Sequence, residues 1–252
     1  IKDIIIVGGG TSGWLACTNL LNNNINITLI ESKNIPPIGV GEGSTPSFFH
    51  FLKDNDINID DLDGTFKYGI NYLNWYSSHF SKYNNWYHPF YNYDVEDYSI
   101  FLDTLNNYSF DYIMNPRKCH YIDDLKKPKS VGVHFNPSKF YSILKNNCIS
   151  KGINYIQADV IDCKLSKDGN INSVILNDNR ELKADLFIDC SGFNRILISK
   201  LDGVDFIDFS DTLICDSAIV THIDEKNDGK FQYTKATALS SGWSWNRLCL
   251  FK

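Results

Sequence analysis

An α/β fold built on a parallel sheet is predicted by three features of the sequence, taken in chain order. Residues 4–7 (IIIV) form the short apolar run that a parallel strand buried on both faces requires. A glycine-rich turn, a helical pattern at 14–21 and a second strand at 25–31 (INITLIE) follow it. Several short strands separated by turns occupy 154–189 and end in a further apolar strand. Strand, helix and strand in this order indicate a βαβ unit.

The turn after the first strand has the spacing of a dinucleotide site. Gly8, Gly10 and Gly13 fit G-x-G-x-x-G, in which the glycines permit a tight turn, the approach of a pyrophosphate, and close packing of helix on strand. The free N–H groups at the helix N-terminus can hold the phosphate charge. Glu31 closes the second strand about 20 residues beyond Gly10, where such sites place the carboxylate for a ribose hydroxyl. Dinucleotide binding is therefore predicted.

The rest of the chain favours a flavin over a nicotinamide dinucleotide. The stretch GVGEGSTPS at 39–47, with Glu42 inside it, is a second glycine-rich loop for which a nicotinamide dehydrogenase has no evident use. The strands from residue 154 are joined by turns at 168–169 and 177–178, and the last strand, Leu186 to Asp189, enters Ser191 and Gly192. A β-meander followed by such a return strand resembles the FAD-binding Rossmann-like fold of the glutathione reductase and aromatic hydroxylase type.

Composition excludes several classes of function. With 252 residues, of which 43% are hydrophobic and 21% charged, the chain is typical of a soluble globular protein. A net charge of -6 argues against a nucleic-acid binder, which needs a basic face to neutralise phosphates. No apolar run approaches the roughly 20 residues that cross a bilayer. Neither nucleic acid nor a membrane is therefore an expected partner.

The cysteines predict free thiols in a reducing compartment. All seven are scattered along the chain with neither CxxC nor zinc-ligand spacing, and the six histidines are equally dispersed. We therefore expect a cytoplasmic protein without a metal site.

The stretch GTFKYGINYLNW at 64–75 contains a lysine that needs an explanation. Read as one strand, its alternation places Lys67, Gly69 and Asn71 on one face together with Leu73 and Trp75. A charged group then shares a face with a glycine, which leaves room beside it, and with residues that look buried. Burying an ammonium group is unfavourable unless something compensates. The alternative is a lysine whose stem lies along the strand edge and whose amine reaches solvent.

With these pieces in order, the whole chain resembles the flavin-dependent tryptophan halogenases. The stretches VGGGTSGWLA, ITLIES, IGVGEGSTP, GTFKYGINYLNW, WYHPF, LFIDCSG, LICDSA and SGWSW occur in the family's order and at about its spacing. The Lys67 motif and the pair Trp243 and Trp245 are the most particular of them. The sequence departs from the family in three places: WSWNRL stands for WxWxIP, Gly43-Ser44 for Ala-Thr, and Asn136 for an aspartate.

The resemblance implies a function for Lys67. In the family, reduced FAD and O2 oxidise a halide, chloride or bromide, to hypohalous acid, which moves through an internal tunnel to the lysine that Lys67 matches. An ammonium polarises hypohalous acid and a free amine takes the halogen as a haloamine, so either fixes the halogen against one ring carbon. The implied substrate is a small electron-rich aromatic molecule, tryptophan or an indole-like ring. A separate flavin reductase is the implied partner, because the sequence holds no second nucleotide motif.

The motifs and the resemblance together predict the site residues. Lys67 is the predicted catalytic residue, and His88 and Phe90 are implied to line the substrate pocket. In the FAD-binding fold, a residue at the position of Val160 contacts the adenine. The residues predicted to bind FAD are Gly8, Gly10, Thr11, Ser12, Gly13, Trp14, Glu31, Ser32, Ile35, Glu42, Val160, Ser191 and Gly192.

The predicted organisation is one FAD-binding halogenase module over 1–252, interrupted at 60–130 by an aromatic-rich, substrate-facing insertion. The chain begins at Ile1 rather than methionine and stops at LCLFK without a turn or cap signal, so we expect the N-terminal part of a longer protein. The family's second catalytic residue, a glutamate, and most groups that hold the substrate's amine and carboxylate are expected beyond residue 252.

Two other functions are compatible with the sequence. The first is an FAD-dependent monooxygenase that hydroxylates an aromatic ring, which shares the FAD site and has no need for Lys67. The second is a truncated, non-catalytic FAD-binding fragment. Dependence of the product on halide separates the first from a halogenase, and reading the coding sequence past Lys252 separates the second.

Overall fold

The structure, a computed structural model, describes residues 1–21, 24–35, 42–75, 85–90, 131–221 and 233–246. Its contacts divide the chain into two compact units. The first contains Ile1–Gly39 and Pro137–Asp216, and the second contains Val40–Asn136 and Ser217–Lys252.

The helices and strands of the described residues are as follows. The helices are α1 (Thr11–Leu20), α2 (Pro46–Asp54) and α3 (Pro137–Ser150), with short 3-10 helices at Ile59–Leu62, Gly192–Asn194 and Ile198–Lys200. The strands are β1 (Asp3–Val7), β2 (Asn26–Glu31), β3 (Glu42–Gly43), β4 (Thr65–Lys67), β5 (Gly69–Leu73), β6 (Asn85–Pro89), β7 (Gly132–Phe135), β8 (Asn154–Gln157), β9 (Val160–Leu165), β10 (Ile171–Leu176), β11 (Glu181–Lys183), β12 (Leu186–Asp189), β13 (Thr234–Leu239) and β14 (Gly242–Asn246).

A parallel sheet of order β12-β1-β2-β8 forms the centre of the first unit. β1 pairs in parallel with β12 on one side and with β2 on the other, so its apolar run is buried from Ile4 to Val7. Helix α1 connects β1 to β2 and packs against α3. The strand, helix and strand predicted from the sequence are therefore confirmed, and α1 begins at Thr11, ahead of the predicted residue 14.

The predicted meander is also present in the first unit. β9, β10 and β11 form an antiparallel sheet, and β12 then returns to pair with β1. Gly169 lies in the first turn with a φ of 78°, and Asn179 in the second with a φ of 66°. Val174 and Leu176 of β10 pack with Ile5, Val7 and other apolar residues in one buried cluster that joins the meander to the parallel sheet.

The second unit divides residues 64–75 between two sheets. β5 is central in a sheet of order β14-β13-β5-β6, and β4 is an edge of the sheet β3-β7-β4. The break falls at Tyr68, whose carbonyl oxygen accepts the Phe90 N–H at 2.8 Å. The prediction of one strand is therefore wrong, because pairing with β7 before Tyr68 and with β6 and β13 after it overrides the local pattern. The alternation survives, since Lys67, Gly69 and Asn71 are all buried.

The predicted insertion at 60–130 lies largely outside the described residues, which include 60–75 and 85–90 of it, so the predicted organisation stays a prediction. Across the described ranges, none of the helices combines the length and the hydrophobicity that a transmembrane span requires.

Candidate functional site

Of the three motif glycines in the turn after β1, only Gly10 borders a space that a ligand could occupy. Gly8 has a φ of 111°, and a Cβ on it would clash with the Cys190 carbonyl oxygen. A Cβ on Gly13 would clash with the Gly8 carbonyl oxygen. A Cβ on Gly10 would meet no atom of the described residues within 4 Å, so these residues leave the space beside Gly10 open. The outer glycines therefore serve packing, and the middle one borders free volume.

This open space adjoins the N-terminus of α1. Gly10 is the N-cap of the helix, and as a glycine it has no side chain with which to cap the first turn. The predicted residues Thr11 and Ser12 form the first turn, where backbone N–H groups lack intrahelical acceptors. The arrangement can accept a phosphate through these N–H groups and the helix dipole. Trp14 lies beneath the turn with 0% of its surface exposed, so it contributes packing.

Glu31, at the end of β2, is held in a network of side chains. Its Oε1 accepts the Tyr141 hydroxyl at 2.7 Å, and its Oε2 accepts the Lys145 ammonium at 2.8 Å and the Tyr155 hydroxyl at 2.6 Å. Burial acts to raise the pKa of this carboxyl, but the hydrogen bonds from Lys145, Tyr155 and Tyr141 outweigh it and lower the pKa below its usual range. Glu31 is therefore a charged carboxylate in the folded protein.

The other predicted cofactor residues near the ends of strands differ in their contacts and in their exposure. The Ser32 hydroxyl donates to the Asp159 carboxylate just ahead of β9, and Val160, the first residue of β9, is buried in the apolar cluster. Ile35 is 56% exposed. Glu42 lies in β3 of the second unit, where it pairs with β7. Through Asp159, the structure brings Ser32 next to Val160.

The turn at Ser191 and Gly192 is organised by Asp189, which the sequence did not mark as a site residue. Asp189 Oδ1 accepts the N–H and the hydroxyl of Ser191, and Oδ2 accepts the N–H groups of Leu197 and Ile198 at 2.8 and 2.9 Å. Burial acts to raise the pKa of this carboxyl, but the hydrogen bonds from Ser191, Ile198 and Leu197 lower it below its usual range. The only sequence signal was its place at the end of an apolar strand.

Replacement of Asp189 by asparagine is expected to destabilise the protein by about 2 to 3 kcal/mol, because charge-assisted hydrogen bonds are lost and an amide NH2 group faces backbone donors. The folded pKa is depressed, so this stabilisation is fully present above the unfolded pKa of about 3.9 and is lost as pH falls through the folded pKa. Denaturant unfolding at neutral pH and at about pH 3 measures both effects.

The matched control is Asp178→Asn, at an exposed turn position ion-paired to Arg180, which is expected to leave the free energy of unfolding nearly unchanged at both pH values. Equal losses for Asp189→Asn at the two pH values would contradict the charge-based explanation.

Lys67 is buried in the second unit, at the end of β4. Its exposed fraction is 4%, and its Nζ donates to the Ser44 carbonyl oxygen at 3.1 Å. The Nζ also lies 5.1 Å from the centre of the Phe90 ring, a cation–π contact. The alternative of an amine that reaches solvent is therefore wrong for this structure. Of the two predicted substrate residues, Phe90 contacts Lys67, and His88 lies two residues earlier, paired with Ile70 of β5.

Two residues that the sequence did not mark build this lysine site. Gly132 pairs with Lys67 across β4 and β7, and a Cβ on it would lie 2.6 Å from the Ser44 carbonyl oxygen and 3.1 Å from the Phe90 ring. Ser44 is fixed from both sides, since its N–H donates to the Val133 carbonyl and its hydroxyl accepts the Val133 N–H, each at 2.8 Å. The glycine inside the apolar stretch VGVHF was the available signal.

Comparison with known proteins identifies the family. The family model described as tryptophan halogenase matches residues 3–248. The chain belongs to the tryptophan halogenase family. Curated members include tryptophan 6-halogenase ThaL of Streptomyces albogriseolus, 30% identical over 292 aligned positions, and tryptophan 7-halogenase RebH of Lentzea aerocolonigenes, 30% identical over 287. Each alignment covers 97% of this chain and 53% of the relative, so the chain spans about half the length of these halogenases.

Solved halogenase structures share the fold. A tryptophan halogenase from Shewanella frigidimarina superposes with a TM-score of 0.77 at 29% identity, covering 97% of this chain and 53% of that one. Tryptophan 6-halogenase SttH from Streptomyces toxytricini, at 24% identity, has a TM-score of 0.78 over 97% of this chain and 55% of that one, and supports the fold alone. The predicted α/β fold of the flavin-dependent halogenases is therefore confirmed.

Three tryptophans of the halogenase motifs, Trp75, Trp243 and Trp245, are about half exposed, whereas Trp14 is buried. The sequence pattern predicts that Trp75 is buried on the same face as Lys67, but Trp75 is 47% exposed. Trp243 and Trp245 are 47% and 48% exposed. Trp75 lies beyond the end of β5, where its indole N–H donates to the Ala236 carbonyl at 2.9 Å and its ring lies 6.3 Å from that of Trp243. Residues 247 and 248, where the motif departs from the family, lie outside the described residues.

No group of three or more metal-ligating side chains occurs in the described ranges.

Proposed function

We propose that this chain belongs to a flavin-dependent halogenase that makes hypohalous acid from a halide and O2 and delivers it through Lys67 to an electron-rich aromatic substrate. The observation that carries the proposal is the burial of Lys67, at 4% exposure, with its ammonium held by the Ser44 carbonyl and the Phe90 ring. Burying a charge lowers the stability of the fold unless other contacts compensate. The presence of a buried lysine here therefore favours a functional explanation over a structural one. Membership of the family supports the same function.

FAD is the proposed cofactor, and the residues of the first unit fit it. The uncapped N-terminus of α1 and the open space beside Gly10 would hold the pyrophosphate, and Glu31 would accept a ribose hydroxyl. Val160 and the turn at Ser191 and Gly192 are the further proposed contacts. When bound in its reduced form, FAD would supply the two electrons that reduce O2 to the peroxide level, at which it can oxidise a halide.

Lys67 is proposed to hold and activate the halogen. Its ammonium can donate a hydrogen bond to the oxygen of hypohalous acid, which leaves the halogen more electrophilic and fixes its position. The Ser44 carbonyl restrains the direction of the amine, because both flanking contacts of Ser44 are made to the backbone of β7. Phe90, beside the amine, offers an aromatic face against which a flat ring can stack.

The proposed substrate is tryptophan or another indole-like ring, and the proposed partner is a separate flavin reductase. The named relatives are tryptophan 6- and 7-halogenases, so they support an aromatic substrate and leave the ring position open. Phe90 and His88 are proposed to line the substrate pocket.

The test is dependence of the product on halide. The full-length gene product, supplied with reduced FAD, O2, tryptophan or indole, and bromide or chloride, is expected to give a product heavier by one halogen in place of one hydrogen. Omission of halide is expected to remove this product, and mass spectrometry with natural halogen isotopes measures it.

A hydroxylated product that forms equally without halide would instead support the aromatic monooxygenase. Absence of any aromatic product, with FAD bound and oxidised, would support a non-catalytic flavoprotein fragment.

A further inference from the structure

Glu31 occupies an unusual environment for a carboxylate that is expected to meet a ribose. Only 7% of the residue is exposed, and both of its oxygens already accept hydrogen bonds. The partners, Tyr141, Lys145 and Tyr155, are the titratable groups that act on it, and they come from α3 and β8, which pack around the end of β2. The network is therefore built from parts of the chain that the dinucleotide motif does not include.

Lys145 is the centre of this network. Its ammonium donates to Glu31 Oε2 at 2.8 Å, to the Tyr141 hydroxyl at 3.0 Å and to the Tyr155 hydroxyl at 2.9 Å. An ammonium has three N–H donors, so these three acceptors use all of them. The charge also lies 4.4 Å from the centre of the Tyr155 ring and 5.8 Å from that of Trp14, within the range of cation–π contacts. Hydrogen bonds and aromatic rings together thus fix the position of the Lys145 ammonium.

The network leaves one oxygen of Glu31 facing the glycine turn. A Cβ on Gly9, between the first two motif glycines, would overlap Glu31 Oε1, so this oxygen borders the turn directly. Within the described part of the chain, Oε1 accepts the Tyr141 hydroxyl and no other donor. A carboxylate oxygen has two acceptor positions, so Oε1, which lies close to the turn, can accept a second donor. Oε2, by contrast, accepts both Lys145 and Tyr155.

We propose that Lys145 is a positioning residue for nucleotide binding: with Tyr141 and Tyr155, it holds Glu31 as a carboxylate against the glycine turn, so that Oε1 accepts a ribose hydroxyl. This inference rests on the proposed use of FAD. Lys145 acts through Glu31 and touches no part of the nucleotide. The dinucleotide motif supplies the carboxylate, and this chain adds the cation that keeps it charged in a buried place.

The proposal predicts how FAD affinity depends on pH. Burial is the largest influence on the pKa of Glu31 and acts to raise it, and hydrogen bonding by Lys145 is the largest influence that lowers it. With Lys145 present, the carboxylate persists through the neutral range and FAD affinity is independent of pH there. Without Lys145, burial is opposed by the two tyrosine hydroxyls alone, so the pKa of Glu31 is expected to rise, and one acceptor for the ribose is lost wherever the carboxyl takes up a proton.

The experiment is a double-mutant cycle in the full-length gene product, with FAD titrated by calorimetry at about pH 8 and about pH 6. The wild type is expected to bind FAD equally at both. Lys145→Met is expected to weaken binding about tenfold at the higher pH and by about a further fivefold at the lower. Lys145→Arg, which keeps the charge, is expected to restore the flat profile. The matched control, Lys151→Met just after the same helix, is expected to bind as the wild type.

The Glu31→Gln variant separates an effect of Lys145 on FAD affinity from an effect on folding. Its affinity is expected to be lowered and independent of pH, and adding Lys145→Met to it is expected to change affinity by less than about twofold, because Lys145 acts only through the charge of Glu31. The double variant carries no uncompensated buried charge, so it is expected to fold even if Lys145→Met alone does not. Its comparison with Glu31→Gln then still tests whether Lys145 acts only through the charge of Glu31.

Additive losses in the cycle, or a weakened Lys145→Met with no dependence on pH, would overturn the positioning function and leave FAD binding intact. Failure of the wild type to bind FAD would overturn the proposed cofactor together with this inference.

Discussion

Lys67→Met is expected to reduce aromatic halogenation by roughly three orders of magnitude or more while FAD binding stays within about twofold of the wild type. Methionine approximates the length of the lysine stem and removes a buried charge, so the free energy of unfolding is expected to be unchanged or slightly higher. Consumption of reduced FAD is expected to continue, because it requires no group of the lysine site. Peroxide and hypohalous acid then escape into solution in place of the halogenated product.

The measurement is paired, with reduced-flavin consumption and halogenated product followed in the same sample of the full-length gene product. Lys53→Met is the matched control, since Lys53 is an exposed lysine whose ammonium lies over the Phe49 ring, and it is expected to halogenate normally. Product formation at a near wild-type rate in Lys67→Met would mean that the buried lysine serves the fold.

Lys67→Arg distinguishes two ways in which the amine can act. Arginine keeps the charge and the hydrogen-bond donors, and it does not readily form a haloamine. Activity in this variant would support polarisation of hypohalous acid, and complete loss with intact FAD binding would support covalent transfer. The Ser44 carbonyl, 3.1 Å from the amine in the native protein, would still be available as an acceptor.

Gly10→Ala is expected to lower FAD affinity by about tenfold or more while the free energy of unfolding changes by less than about 0.5 kcal/mol. Gly10 has φ and ψ of -72° and -176°, which any residue can adopt, and within the described part of the chain its Cβ would meet no atom within 4 Å. The methyl group therefore occupies only the space proposed for the pyrophosphate. Fluorescence titration of FAD and denaturant unfolding measure the two quantities.

Gly13→Val is the contrasting variant at the same turn. Its side chain would clash with the Gly8 carbonyl oxygen, a backbone atom, so the strand and helix must separate. Loss of stability by about 3 kcal/mol or more is expected to accompany the loss of FAD. Unchanged flavin retention in both variants would remove the assignment of this turn to the cofactor, whereas loss in Gly13→Val alone would show that the turn is structural.

Local signals were sufficient for much of the first unit. The apolar run of β1, the glycine spacing and the helical pattern of α1 each depend on residues that are neighbours in sequence, and the structure confirms them. The meander was recognisable for the same reason, because hairpin turns such as that at Gly169 require particular residues. Alternation placed Lys67 on one face with Gly69 and Asn71, which are buried with it, but it left open whether the amine was buried or reached solvent, and the structure decided for burial.

Only the tertiary structure decided which distant residues meet these elements. The break at Tyr68 arises because β7 pairs on one side of it and β6 and β13 on the other. The acceptor for Lys67 comes from Ser44, 23 residues earlier, and the partners of Glu31 come from 110 to 124 residues later.

The sequence therefore determined the residue types at the site, a lysine in a strand and a carboxylate at a strand end. It did not determine their surroundings. Hydrogen bonds and pairing between remote segments depend on how strands and helices pack, and a pattern of period two or 3.6 contains no information about the segment on the other side. The fold supplied the Ser44 carbonyl beside Lys67 and Lys145 beside Glu31, and these neighbours hold the two charges in place.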